Sequence, residues 1–330
     1  MNDTTLKKIA ETLGCSISTV SRALKHHPDI SVRTREKVLE LANMLDYEPN
    51  AFAVHLRTKN SNLLGLMVPT ISNYFYETFI ASIEEESRKK GYALMILQTA
   101  NDPAIEAENL KIFRQNRING LFACISANTV DLQHFTKLKE QDIPVVFFDN
   151  VPEEEGLNKI CLADERATEL ATEAIIETKR KKVMGVFGDK RLSITQKRLN
   201  KFQAIIQQKA PDLKVEIIHA MNSEEAEKMV TAALSPKKHP EVIFCMSDEL
   251  LIGAMKSIQI KKMKIPEDIG IINISNGFVP KLYYPQITYA ETSGFKLGKL
   301  AFTHLMACIA GADAIKEQTL ESVLIKGGSL

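Results

Sequence analysis

Near the start of the chain, four hydroxyl side chains and one arginine lie within seven residues: Ser16, Ser18, Thr19, Ser21 and Arg22. Hydroxyl groups donate hydrogen bonds to phosphate oxygens, and such contacts position a protein on nucleic acid without specifying a sequence. An arginine can pair with two acceptors on a guanine edge, which contributes about 1–3 kcal/mol of discrimination. These residue types suit contact with DNA, but taken alone Arg22 is equally consistent with a solvated surface arginine, and Ser16 is equally suited to cap a helix.

Motifs of the common nucleotide-binding and hydrolytic enzymes are missing from the sequence. There is no G-x-G-x-x-G after a strand pattern, no P-loop, no G-x-S-x-G and no H-E-x-x-H. The five cysteines are far apart and form no C-x-x-C pair, which indicates reduced thiols rather than a metal site or a catalytic thiol. We therefore predict neither an enzyme nor a cofactor.

The composition is typical of soluble globular proteins, with 330 residues that are 45% hydrophobic and 25% charged. Lys and Arg number 42 and Asp and Glu number 41, so the net charge is only +1 and any DNA-binding surface must be local. The N-terminus has no apolar signal-peptide core, and no run of about 18 apolar residues occurs. We expect a cytoplasmic, nucleoid-associated protein with no membrane contact.

The first sixty residues predict a small all-α head. Apolar residues at helical spacing, followed by Gly14, predict a helix over about 6–13. Ser16 is the expected N-cap of a second helix over 17–24, and Ser31 that of a third helix over about 32–45. Two helices joined by so short a turn are typical of a helix-turn-helix.

From residue 63 onwards, short continuous apolar runs alternate with helical stretches. Runs without strict polar alternation are typical of parallel strands that are buried on both faces. The predicted strands are 63–68, 93–97, 121–125, 145–148, 183–187, 215–218, 242–246 and 269–274. They form two groups, the first ending near Cys161, which predicts an α/β domain of two similar parallel-sheet lobes. Ligands of such sheets bind beyond the carboxyl ends of the strands, so the cleft between the lobes is the expected site.

Eight segments, in order over the whole chain, resemble the lactose-repressor/galactose-repressor (LacI/GalR) family of bacterial transcription regulators. They are 5–10 (TLKKIA), 14–24 (GCSISTVSRAL), 34–38 (TREKV), 47–51 (YEPNA), 65–73 (GLMVPTISN), 143–146 (IPVV), 247–254 (SDELLIGA) and 265–270 (IPEDIG). The resemblance implies a helix-turn-helix domain over 1–48, a hinge over 49–60 and a periplasmic-binding-protein-like effector and dimerisation domain over 61–330. Within that domain, the lobes are expected to meet near 161–163, and the chain is expected to return to the first lobe near 291.

The resemblance also implies roles in DNA binding. A recognition helix enters the major groove with its N-terminal side chains toward the base edges, which here are Ile17, Ser18 and Arg22. Leu56, in the hinge, matches a leucine that the family inserts into the minor groove, where apolar wedges kink the duplex. The full set of expected DNA contacts is Thr5, Ser16, Ile17, Ser18, Thr19, Ser21, Arg22, Thr34, Asn50 and Leu56.

A second set of residues matches family positions that bind the effector. The set is Phe75, Tyr76, Asp164, Arg166, Arg198, Asn222, Ser247, Asp248, Ser275 and Thr292. Several depart from the pattern of sugar-binding members: Ser275 stands where a carboxylate is usual, Asn222 where some members have an aromatic, and Thr292 where a glutamine is common. These departures weaken the expectation of a free hexose that the resemblance alone would give, and a modified or acidic saccharide, a nucleobase-like metabolite or no ligand stays open.

Our interpretation is a transcription regulator, most simply a repressor, that binds palindromic operator DNA as a homodimer and is controlled by a saccharide-like effector. A dimer is favoured over a tetramer because the chain ends soon after Gly327 and Gly328. Two alternatives stay open at this point: a small-molecule binding protein without gene regulation, and an α/β enzyme.

Overall fold

The structure is a computed structural model that describes residues 6–47, 61–234, 239–312 and 316–330. The chain divides into two compact units, 1–61 and 62–330. We describe each unit by itself.

Three short helices form the described part of the first unit: α1 (Leu6–Leu13), α2 (Ile17–Leu24) and α3 (Val32–Met44). Their apolar faces meet in a small core that fully buries Ile9, Val20 and Val38. The expected caps are present, because the hydroxyl oxygens of Ser16 and Ser31 accept hydrogen bonds from the backbone amides three residues later, at 3.1 and 3.2 Å. The helix-turn-helix predicted from the sequence is confirmed.

The second unit contains twelve strands and eight further α-helices among the residues that the structure describes. The strands are β1 (Leu63–Val68), β2 (Ala93–Gln98), β3 (Gly120–Ala123), β4 (Val145–Phe148), β5 (Lys159–Leu162), β6 (Lys182–Phe187), β7 (Lys214–His219), β8 (Val242–Cys245), β9 (Gly270–Ser275), β10 (Thr288–Glu291), β11 (Glu317–Leu320) and β12 (Leu324–Ile325). The helices are α4 (Tyr74–Lys89), α5 (Pro103–Gln115), α6 (Gln133–Lys139), α7 (Asp164–Glu177), α8 (Ser193–Lys209), α9 (Ser223–Ala233), α10 (Asp248–Ile260) and α11 (Gly294–Ile309), and a 3₁₀ turn spans Val279–Leu282.

Two six-stranded sheets each form the centre of one lobe. Their strand orders are β11-β5-β4-β3-β1-β2 in lobe 1 and β12-β10-β9-β8-β6-β7 in lobe 2. Every pairing is parallel except that of β12 with β10. The two parallel-sheet lobes predicted from the apolar runs are thereby confirmed, and each of the eight predicted strands is present to within one or two residues at its ends.

The chain crosses between the lobes three times. The first crossing joins β5 to α7, and the second joins β10 to α11, which packs on α4 in lobe 1. A third crossing, between β11 and β12, returns the chain to lobe 2 and is absent from the sequence-based expectation. A backbone hydrogen bond joins the second and third crossings: the Glu291 amide donates to the Val323 carbonyl at 2.8 Å.

A glycine lies in the tight contact between helices α9 and α10. A Cβ atom at Gly253 would lie 2.2 Å from the Ser223 carbonyl oxygen and 2.9 Å from the Glu227 amide nitrogen. By contrast, a Cβ atom at Gly120 would meet only the flexible end of Leu305, at 2.9 Å. The packing of α9 against α10 in lobe 2 therefore requires a residue without a side chain at position 253.

We predict that Gly253→Ala lowers the free energy of unfolding by about 3 kcal/mol, because backbone atoms have to move apart. Gly120→Ala, the matched control, is expected to lower it by less than about 1 kcal/mol, because a leucine can change rotamer. Urea denaturation of both variants measures the difference. Equal losses would contradict the close approach of α9 and α10.

Candidate functional site

A cavity of about 390 Å³ lies between the lobes, at the carboxyl ends of their strands. Seven of the ten residues expected at the effector site line it: Phe75, Tyr76, Arg198, Ser247, Asp248, Ser275 and Thr292. Helix starts supply many of the polar groups, since α4, α8 and α10 all begin at this edge. This volume lies in the range of small-molecule sites.

Arg198 places a buried guanidinium in the cavity. Its Nε and Nη2 both donate to Asp164 Oδ1, at 3.0 and 2.5 Å, and its Nη1 donates to the Met246 carbonyl at 2.6 Å. A guanidinium carries five N–H groups. Among the described residues, these three contacts leave one N–H on Nη1 and one on Nη2 without a partner.

Asp248, the first residue of α10, is a buried carboxylate with three partners. Its Oδ1 accepts hydrogen bonds from Ser275 Oγ at 2.5 Å and from Asn273 Nδ2 at 3.1 Å, and its Oδ2 accepts from the Asn276 amide at 3.2 Å. Burial raises the pKa of Asp248, and these hydrogen bonds oppose the rise. Ser275 therefore holds Asp248 in place, in addition to lining the cavity.

Asp149 is a cavity residue that the sequence did not point to. Its Oδ2 accepts a 2.6 Å hydrogen bond from the Tyr76 hydroxyl, while its Oδ1 accepts none from the described residues. Burial raises the pKa of Asp149, and the nearby Asp164 raises it further, whereas Arg198 lowers it. A signal was available, because Asp149 directly follows the buried strand β4, at the sheet edge where ligands bind.

Three expected effector residues lie outside the cavity lining. Asp164 orients Arg198 by accepting two hydrogen bonds from its guanidinium. Arg166 points to Glu169 on the exposed side of α7, with Nη1 3.1 Å from the carboxylate. Asn222 caps α9, because its side chain accepts a hydrogen bond from the Glu225 amide at 3.0 Å, and its neighbour Met221 lines the cavity instead.

Among the described residues, two hydrogen bonds made by side chains join the lobes across the cavity. Ser193 Oγ, at the start of α8, donates to Asn150 Oδ1 at 2.7 Å. Asn276 Nδ2 donates to the Tyr74 carbonyl, also at 2.7 Å. Since each pair includes one residue from each lobe, a change in lobe separation would break both bonds.

The expected recognition surface lies on the exposed side of α2. Ile17 and Ser18 are exposed at its start. The Arg22 guanidinium is 3.9 Å from Asp29 Oδ2, an exposed contact that contributes little stability. Ser21 and Thr34 are half-buried, and Thr34 contacts the hydroxyl of its cap Ser31 at 2.8 Å. Thr5, Asn50 and Leu56 lie outside the described residues, as does the whole segment 48–60.

Two family models match the chain, and together they span nearly all of it. The model of periplasmic binding proteins and the sugar-binding domain of the LacI family matches residues 61–326, and that of bacterial regulatory proteins of the lacI family matches residues 5–50. The chain belongs to the LacI family. It is therefore a DNA-binding transcription regulator with an effector domain, as the sequence predicted. The enzyme and the binding protein without gene regulation are no longer alternatives.

Curated relatives of this LacI-family protein match it over most of their length. The HTH-type transcriptional regulator DegA of Bacillus subtilis (strain 168) is 27% identical over 287 residues, which are 86% of this chain and 85% of DegA. The HTH-type transcriptional repressor PurR of Vibrio atlanticus (strain LGP32) is 26% identical over 312 residues, which are 94% of this chain and 93% of PurR.

Solved structures share the fold at low identity. The Lac repressor dimer bound to operator and the anti-inducer ONPF has a TM-score of 0.88 and 20% identity, and the match covers 99% of both chains. A periplasmic binding protein/LacI transcriptional regulator from Alkaliphilus metalliredigens QYMF, complexed with D-xylulofuranose, has a TM-score of 0.70 and 24% identity over 81% of this chain and 98% of that one. No described helix of this LacI-family protein is long and apolar enough to cross a membrane.

We predict that Asp149→Asn stabilises the unliganded protein at neutral pH. Folding favours the protonated carboxyl, because the folded-state pKa of Asp149 lies above its ordinary value. Stability is therefore lost as the pH rises through the interval between the unfolded-state and folded-state pKa values. Asparagine keeps an acceptor for Tyr76 without the charge, and a gain of about 1 kcal/mol would raise the melting temperature by about 2–4 °C.

Differential scanning calorimetry near neutral pH and near pH 4 tests this expectation, because the advantage of the variant should shrink at the lower pH. Asp189→Asn is the matched control. Its parent carboxylate also lines the cavity, but the hydrogen bond from Arg191 lowers its pKa, so no gain is expected. A loss of stability in Asp149→Asn at neutral pH would show that this carboxylate is not a destabilising group.

Proposed function

We propose that this protein is a repressor that binds a palindromic operator as a homodimer and is controlled by an uncharged, hydroxyl-rich effector in the interlobe cavity. One helix-turn-helix reads only a short half-site, so two-fold pairing provides the length of a specific site. The structure of the related Lac repressor dimer on its operator supports this arrangement by analogy. The observation that carries the effector class is the charge balance of the cavity.

Carboxylates outnumber cations around the cavity floor. Asp149, Asp164 and Asp248 surround Arg198; burial raises the pKa values of Asp149 and Asp248, and the charge of the guanidinium opposes that rise. One guanidinium cannot balance three carboxylates, so an anionic ligand would enter a site that is already negative. This argues against the acidic saccharide that the sequence left open.

Free hydrogen-bonding groups suit the hydroxyls of a sugar. Asp149 Oδ1 can accept from a ligand hydroxyl, and the two remaining N–H groups of Arg198 can donate to hydroxyl oxygens. Thr195 adds a hydroxyl that is buried, lines the cavity and has no hydrogen-bond partner among the described residues. A buried unpaired hydroxyl costs about 1–3 kcal/mol, which a ligand hydroxyl would offset.

Apolar side chains provide a surface for a sugar ring in place of the tryptophan that the sequence lacks. Met221 and Ile194 come from lobe 2, and Phe75 comes from lobe 1. Cavities of this kind, apolar with a few converging polar groups, are typical of small-molecule sites. That a protein of the same fold was solved with D-xylulofuranose supports a saccharide-like effector here.

Effector control follows if the ligand binds one lobe arrangement better than another, since a ligand shifts an equilibrium only through such a difference. The Asn150–Ser193 and Tyr74–Asn276 bonds are the contacts that such a shift would make or break. In the family arrangement, this shift alters the pairing of hinge segments in the DNA minor groove. The wedge role of Leu56 is part of this proposal.

We predict that Arg198→Lys abolishes stabilisation by neutral saccharides. An ammonium has no fork of donors and cannot bridge Asp164, the Met246 carbonyl and a ligand together. Arg166→Lys, on the exposed face of α7, is the matched control and should leave ligand binding unchanged. The measurement is the shift in melting temperature with a panel of neutral pentoses and hexoses. Equal shifts in both variants would remove Arg198 from the proposed site.

We predict that in-vitro selection with the full-length protein enriches a palindromic DNA sequence. On that sequence, Arg22→Ala should weaken discrimination at one base pair per half-site by about 1–3 kcal/mol, because a bidentate guanine contact is lost. Arg33→Ala, an exposed arginine at the start of α3, is the control and should change no base preference. Affinities are compared at one salt concentration. Unchanged base preferences in Arg22→Ala would contradict its role in base recognition.

A further inference from the structure

A second cavity, of about 660 Å³, adjoins the first on the outer side of the cleft. Lobe 1 contributes the segment after β3, with Ser126 and Thr129, and the segment after β4, with Asn150. Lobe 2 contributes Ser193 and Gln196 from the first turn of α8. We call this the outer cavity and the site described above the inner cavity.

Asn150 separates the two cavities and lines both. Its Nδ2 donates to the Ile125 carbonyl at 2.8 Å, and its backbone carbonyl accepts from the Ile125 amide at 3.1 Å, so its position in lobe 1 is fixed. From lobe 2, the Ser193 hydroxyl donates a 2.7 Å hydrogen bond to Asn150 Oδ1, and this pair separates the two cavities. Rotation of one serine hydroxyl group or a small lobe movement would therefore connect the cavities.

Each cavity contains a buried hydroxyl that has no partner among the residues the structure describes. In the inner cavity it is Thr195 Oγ1, and in the outer cavity it is Ser126 Oγ. The backbone around Ser126 is held rigidly, because Glu106 accepts from the Ser126 amide at 2.7 Å and from Thr129 Oγ1 at 2.9 Å. Ser126 is thus placed by the fold, yet its own hydroxyl is left for another partner.

Charge in the outer cavity excludes phosphate and other anions. Asp131, Glu153 and Glu154 line it. The one arginine in its lining, Arg191, is already paired with Asp189 at 2.6 Å. The remaining polar lining consists of hydroxyl and amide groups, which suit the hydroxyls of a neutral sugar unit.

We propose that the outer cavity is a second subsite, and that the effector is a neutral disaccharide or glycoside that spans both cavities. One sugar unit lies on Arg198 in the inner cavity, and the second contacts Ser126 in the outer cavity. The linkage between the units passes Asn150 and replaces its bond to Ser193. This inference rests on the proposed function, since it assumes a hydroxyl-rich ligand in the inner cavity.

Isothermal titration calorimetry on the full-length protein tests the subsite with matched sugars: glucose against maltose, cellobiose and trehalose, galactose against lactose and melibiose, and fructose against sucrose. At least one disaccharide should bind tenfold or more tightly than either of its component monosaccharides, at one molecule per chain. Monosaccharides that bind as tightly as every disaccharide would overturn the subsite and leave the proposed function standing.

Three substitutions that each remove one hydroxyl group test where the second sugar unit binds. Ser126→Ala should weaken the disaccharide at least fivefold without changing monosaccharide affinity, whereas Thr195→Val should weaken both. Ser87→Ala is the matched control, because Ser87 is also buried with an unpartnered hydroxyl but lines neither cavity, and it should change neither affinity. An equal loss of both affinities in Ser126→Ala would overturn the subsite. Binding of sugar phosphates with no binding of any neutral saccharide would overturn the proposed function as well.

Discussion

The burial of one positive charge organises the inner cavity. Removing a guanidinium from water costs several kcal/mol unless a carboxylate and further acceptors compensate it. For Arg198 the compensation comes from Asp164 and from the Met246 carbonyl. Because Asp164 begins α7, Met246 follows β8 and Arg198 lies on α8, these bonds fix the positions of the three elements relative to one another. The ion pair thus aligns three elements of lobe 2 before any ligand is present.

The remaining carboxylates make the unliganded cavity electrostatically unfavourable. Asp149 and Asp248 are both buried, and burial is the main cause of their raised pKa values. Binding sites commonly retain such groups at the expense of stability, because a ligand supplies the missing hydrogen bonds. A neutral molecule with several hydroxyls does this without adding negative charge. In the proposed function, this charge balance is what favours a neutral ligand.

Much of the fold was predictable because its central strands are continuous apolar runs buried on both faces. Four strands were missed: β5, β10, β11 and β12. β5 and β10 are central but carry charged or polar residues at their ends, so neither is a continuous apolar run. β11 and β12 are short edge strands that pair on one side only. Their half-exposed sequences lack the apolar run that marks a central strand. The caps Ser16 and Ser31 were predictable, because capping depends on local sequence alone.

The lining of the inner cavity was predictable where a residue's placement follows from its position in the family pattern, as for Arg198. It was not predictable where a role depends on side-chain direction. Asn222 and Met221 are neighbours in the sequence. The Asn222 side chain caps α9 by accepting a hydrogen bond from a backbone amide, whereas Met221 lines the cavity. Arg166 lies two residues after Asp164, and the helical turn directs it toward Glu169 instead of the cavity. Asp149 was overlooked because its contribution arises only when Tyr76 and Arg198 converge on it in three dimensions.

The most direct test of this account is the affinity of the full-length protein for its selected operator, measured with neutral saccharides and with their phosphorylated counterparts at one ionic strength. Allosteric coupling free energies of 1–3 kcal/mol correspond to affinity changes of about 5- to 150-fold. The account predicts a change of this size with a neutral saccharide and none with its phosphate ester. A change produced by the phosphate ester alone would contradict it.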